Sequence, residues 1–172
     1  SFARQRGFKS ARAEIIASTD ADTVVSPDWL ELIYCSFRED PDLVGVYGRV
    51  LLKKGSSPSH YFNQIIPLTD PLLTSFLEVS HSLSLPHFCG ANFAVRKRFF
   101  ERAGRFRSRD GRFYRVSEDV QLGLKLRKVG EVRLLKDLVV YTSARKLDSD
   151  SWKVPLTNAK NYISMAVLGK EI

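Results

Sequence analysis

Apolar residues recur along this chain in two periods, and the alternation between them sets the elements to expect. From Phe2 to Arg12, Phe2, Ala3, Gly7 and Ala11 fall near one side of a helix. Arg4, Arg6, Lys9 and Arg12 surround the rest, which predicts a basic amphipathic helix. Ile15–Thr19 is a short apolar run closed by polar turn residues and reads as a buried strand. Ser26-Pro27-Asp28 offers a cap, a proline suited to a first helical position and a first-turn acid. Trp29, Leu30, Ile33, Tyr34 and Phe37 then follow at helical spacing until Asp40-Pro41-Asp42 stops the helix. Leu43–Leu52 is β-rich and predicts a strand. After a Lys54–Ser59 loop, Tyr61–Ser80 keeps helical spacing across Pro67 and Pro71, which predicts two short helices or a broken one.

His87–Cys89 and Phe93–Val95 flank Gly90-Ala91-Asn92, so a strand turns or breaks there. Lys97–Ala103 reads as a short helix closed by Gly104. Arg105–Val116 is a polar, basic loop, and Ser117 caps a helix from Glu118 to Val129 that Gly130 ends. Val132–Leu135 and Leu138–Tyr141 read as two short strands separated by Lys136-Asp137. Ser151–Leu168 forms a final helix with Trp152, Leu156, Ala159, Tyr162, Ile163, Ala166 and Val167 on one side. The order predicts an α/β domain with a partly parallel sheet over residues 1–148, followed by an amphipathic helix over 149–172.

The 172 residues are enough for one domain with a core, and 44% apolar with 27% charged residues are globular values. No run of 18 apolar residues is present, so no spanning helix is expected. Cys35 and Cys89 make neither a disulfide framework nor a zinc site, which points to a reducing compartment. The net charge of +8 favours anionic partners. That excess is local, with nine Lys or Arg from Arg96 to Arg115 against Glu101 and Asp110.

The strand at Ile15–Thr19 runs into Asp20-Ala21-Asp22. Residues i and i+2 of a strand share a face, so the two carboxylates are expected to converge at its C-terminal end. Open α/β sheets bind ligands there. Two carboxylates suit Mg²⁺ or Mn²⁺, with coordination left over for ligand phosphates. Read alone, the same residues also fit a strand end and a turn.

Four signals stand in order: Asp20-Ala21-Asp22, Gly90-Ala91-Asn92, Glu118-Asp119 and Thr142-Ser143-Ala144-Arg145. With Ala3-Arg4-Gln5-Arg6-Gly7, Pro27-Asp28-Trp29-Leu30, Gly104-Arg105-Phe106 and Ser117-Glu118-Asp119-Val120-Gln121-Leu122, the set resembles the family 2 glycosyltransferases. The resemblance covers most of the chain and implies a GT-A-like mixed, mostly parallel sheet flanked by helices. It implies an inverting transfer of sugar from a nucleotide-sugar donor to an acceptor hydroxyl. Asp20 and Asp22 would hold Mn²⁺ or Mg²⁺ and the donor, with Asp22 the more direct metal ligand. Asp119 would be the base, with Glu118 in support. Gly90, Ala91 and Asn92 would lie beside sugar and acceptor. Arg4 would lie near the nucleotide, and Arg145 near the diphosphate or acceptor.

Asp119 falls in the first turn of a helix, where the dipole favours the carboxylate but lowers its basicity, so desolvation must offset that effect. The family's late metal-ligating His has no counterpart from Leu138 to Arg145. Its processive Gln-x-x-Arg-Trp motif is also absent, which implies single additions. The expected acceptor is a glycan or lipid-linked molecule of the cell envelope. The expected location is the cytoplasm, at the inner face of the membrane, with the tail helix and the Arg105–Arg115 loop making peripheral contact. Family 2 domains begin with nucleotide-binding strands ahead of the Arg4 helix. Without them Ile15–Thr19 is expected at a sheet edge, and this chain alone is expected to be marginally stable, prone to associate and inactive.

Two further readings compete. Asp20-Ala21-Asp22-Thr23-Val24 also fits a haloacid-dehalogenase-like phosphohydrolase with Asp20 as nucleophile. Phe99, Phe100, Phe106, Phe113 and Tyr114, interleaved with Arg and Lys, also fit a nucleic-acid-binding surface.

Overall fold

The helix expected at the start of the chain forms over Phe2–Ser10 (α1) in a computed structural model of the protein. The structure describes residues 2–53, 60–106 and 118–143, so the expected tail helix, the basic loop beyond Phe106, the Ser117 cap and Arg145 lie outside the described residues. After α1 come β1 (Ile15–Ser18), β2 (Thr23–Val25), α2 (Trp29–Glu39), β3 (Gly45–Leu52) and α3 (His60–Ser82). They are followed by β4 (Phe93–Arg96), α4 (Lys97–Arg102), α5 (Glu118–Arg127) and β5 (Val132–Thr142).

The strands form one mixed sheet in the order β1-β4-β3-β5-β2. Parallel pairing, expected to dominate, is confined to β3 with β5, while β1–β4, β4–β3 and β5–β2 are antiparallel. The departure comes from β4 and β2, each of which runs opposite to every strand it pairs with, β4 against β1 and β3 and β2 against β5. β1 lies at the sheet edge, as expected, and β2 at the other edge. Residues 19–22 therefore join the two edges.

Period-two alternation sorts side chains onto the two faces. Ile16, Tyr47, Phe93 and Val95 point to one face, where α1, α4 and α5 bring Phe8, Phe100 and Leu126. Ile15, Val46, Ala94 and Val140 point to the other, where α2 supplies Trp29, Ile33 and Phe37. Each of the large side chains removed from water contributes roughly 2–3 kcal/mol. Phe100 and Phe106 are 1% and 0% exposed, which removes them as base-stacking side chains. Arg96 is also turned inward. It donates to the Leu43 and Phe37 carbonyls, pairs with Glu14 and lies over the Phe37 ring, so it ties α2 to β4.

Three local expectations change and one holds. α3 is one continuous helix with Pro67 and Pro71 inside it. The two strands expected around Lys136-Asp137 are a single β5. Its register with β3 jumps from Tyr47↔Leu134 to Arg49↔Val139, so those residues form a bulge within it. α2 starts at Trp29 with no side-chain cap, and the Ser26 hydroxyl has no partner. Gly104 does close α4, at φ +83°.

Candidate active site

The acidic motif leaves β1 at Ser18 and turns before β2, with the Thr23 N–H donating to the Asp20 carbonyl at 3.1 Å. Asp20, Ala21 and Asp22 are exposed. The expectation that strand alternation aligns the two aspartates is corrected. Both sit on the connecting turn, which presents their carboxylates without sheet pairing.

The second acidic pair opens α5. Asp119 is half-buried and accepts two backbone donors: the Gly90 N–H to Oδ2 at 2.6 Å and the Val120 N–H to Oδ1 at 2.9 Å. Burial pushes its carboxyl up from the usual carboxylate range, opposed by those two N–H groups and by Arg4, with Glu118 adding to the rise. The dipole was expected to depress basicity. Here burial outweighs the neighbouring N–H groups, and the carboxyl is raised.

The Gly90 turn holds the two acidic elements together. The Asn92 N–H donates to the Cys89 carbonyl at 2.9 Å, and the Ser18 hydroxyl donates to the Gly90 carbonyl at 2.7 Å. A side chain at Gly90 would put its Cβ 2.2 Å from Arg4 Nη2, so only glycine lets Arg4 pass. Arg4 reaches from α1 to donate through Nη1 to Glu118 at 2.6 Å and through Nη2 to Asp20 at 3.1 Å. Arg4, Asp20, Glu118, Asp119 and Gly90 thus form one connected set.

Ala91 and Asn92 are buried at 3% and 0% exposure. The Asn92 side chain accepts from Trp29 Nε1 at 2.8 Å and donates to the Arg49 and Leu138 carbonyls, each at 2.8 Å. Direct contact with a sugar would require its amide to leave all three. Cys89 is not a nucleophile at neutral pH: burial first, and then Asp119, push its thiol up to about 11. Sequence reasoning missed Ser18, whose only signal is a small polar residue on an otherwise apolar strand.

Among the described residues no group of three His, Cys, Asp or Glu gathers to hold a metal. The exposed Asp20 and Asp22 carboxylates still fit a hard divalent cation. They offer oxygen donors on one turn with open positions for a ligand's phosphates.

An acidic turn joining the sheet edges, bonded to a basic side chain beside a half-buried carboxylate at a helix start, fits a GT-A-like transferase fold. The chain belongs to glycosyl transferase family 2, whose family model matches residues 1–104. The fold is similar to that of the mannosyltransferase PcManGT from Pyrobaculum calidifontis, solved in complex with GDP-Man and Mn²⁺. The match has a TM-score of 0.66 and 19% identity, and covers 99% of this chain and 44% of that one. The chain therefore spans less than half the length of that protein. No curated protein sequence matches it. The phosphohydrolase reading of Asp20 yields to the family match, and the nucleic-acid reading loses its buried aromatics.

Proposed function

We propose that this chain carries the inverting chemistry of a glycosyltransferase that moves one sugar at a time from a nucleotide-sugar donor to an acceptor hydroxyl. One observation carries the reading: the Asp119 carboxylate is half-buried, raised in pKa by that burial, and anchored by the Gly90 and Val120 N–H groups. A base so placed takes the acceptor proton at neutral pH more readily than an exposed aspartate. Each oxygen keeps a lone pair for that proton after accepting its backbone bond. Glu118 orients the helix start through Arg4. Asp22 and Asp20 would hold Mn²⁺ or Mg²⁺, which when bound neutralises charge on the departing diphosphate. Arg145 is assigned to the same diphosphate or to the acceptor.

The neighbour's complex with GDP-Man and Mn²⁺ supports a nucleotide-sugar donor and a divalent ion. The acceptor is proposed to be lipid-linked or part of the cell envelope, reached from the cytoplasmic face of the membrane. Leu68, Leu72, Phe76 and Val79 form an exposed apolar stripe on α3 that supports a membrane contact. No described helix is long and apolar enough to cross a membrane. A screen of the full-length protein with nucleotide sugars and with sugar and lipid-linked acceptors, in Mn²⁺ and in EDTA, tests the proposal. Metal-dependent transfer with inverted anomeric configuration is expected; metal-independent transfer or retained configuration refutes it.

A further inference from the structure

Arg4 joins the two acidic elements of the site. Its side chain is 20% exposed, while those of Glu118 and Asp20 are 16% and 47% exposed. One guanidinium donates to both carboxylates, at 2.6 and 3.1 Å, and passes close over Gly90. Arg4 cannot shed its charge by losing a proton. A divalent cation approaching Asp20 therefore meets a fixed positive charge bonded to the same carboxylate.

We propose that Arg4 is a positioning residue that couples the metal to the donor: it competes with the cation for Asp20 and is released from that competition when a diphosphate arrives. This rests on the metal reading of Asp20 and Asp22 above. With no diphosphate, Arg4 neutralises Asp20 and weakens cation binding. With a diphosphate present, the added negative charge satisfies both cations at once, and Arg4 keeps the Asp119 helix in place through Glu118. By linkage, the metal and the diphosphate each strengthen the other's binding.

Electron paramagnetic resonance of free Mn²⁺ measures this on the full-length protein without any turnover. Arg4→Met is expected to bind Mn²⁺ about tenfold more tightly than wild type at low salt, the size of removing one charge some 6 Å from a dication in water. GDP is expected to raise Mn²⁺ affinity less in Arg4→Met than in wild type, while Arg4→Lys stays near wild type. Gly90→Ala, which drives the guanidinium off its seat with Arg4 still present, is expected to tighten Mn²⁺ binding as well. The effect of Arg4→Met is expected to vanish in an Asp20→Asn background. Unchanged or weaker Mn²⁺ binding by a folded Arg4→Met protein overturns the proposal, as does an equal tightening in the Asp20→Asn background. A wild-type protein that takes up no Mn²⁺, with or without GDP, refutes the metal reading and the coupling with it.

Discussion

Asn92→Ala separates a ligand-contacting residue from one that holds the site in shape. The Asn92 amide fills the break in the β3–β5 ladder, where the register jumps between Tyr47↔Leu134 and Arg49↔Val139. At that break the Arg49 and Leu138 carbonyls take bonds from Nδ2, and Trp29 donates to Oδ1, all at 2.8 Å. Gly48 packs against the same spot so closely that a Cβ would lie 2.0 Å from the Leu138 carbonyl oxygen. Asn92→Ala removes the partner of one donor and two acceptors, at about 1–2 kcal/mol each, so a loss of about 3–6 kcal/mol is expected. Urea unfolding followed by circular dichroism and by Trp fluorescence measures it. Trp29→Phe alone is expected to cost about 1–2 kcal/mol through its lost bond, and less in the Asn92→Ala background because the bond is already gone. An Asn92→Ala cost below about 1 kcal/mol, or full additivity with Trp29→Phe, would refute the assignment.

Two further outcomes follow from the described residues. Burial beside the Phe76 ring pushes His87 down to about 4, so the folded protein holds it neutral while the unfolded chain protonates it near 6.5. Stability is therefore lost as pH falls from about 6.5 to about 4, by roughly 2–3 kcal/mol, and His87→Phe is expected to flatten that slope in urea unfolding across pH. The apolar α3 stripe and the basic chain predict pelleting with anionic vesicles beyond that with neutral ones. Leu72→Glu is expected to reduce it, and equal pelleting on both vesicle types would contradict an electrostatic contribution.

Much of the frame was legible because local pattern and burial agree. Ile16, Phe93 and Val95 alternate onto one face, and Ile33 and Phe37 keep helical spacing onto the other. The missed strand β2 is an edge strand whose Val24 and Val25 are 58% and 36% exposed, so Thr23-Val24-Val25 carries no alternating signal. Lys136 and Asp137 read as a break between strands because a bulge and a turn use the same polar residues. Asp20, Asp22, Glu118 and Asp119 were legible as chemistry from residue type and order. Their connection through Arg4, and the inward turn of Asn92, depend on contacts 16 to 114 residues apart that no local window contains.

The most direct test of the central claim is the rate of sugar transfer by Asp119→Asn in the full-length protein, measured beside wild type with saturating nucleotide-sugar and Mn²⁺. The substitution keeps the shape that meets the Gly90 and Val120 N–H groups and removes the proton acceptor. A base acting on the acceptor hydroxyl predicts a rate ~10²–10⁴-fold lower with donor affinity nearly unchanged. Turnover within about threefold of wild type would contradict it and leave Asp119 as a residue that only anchors the Gly90 turn.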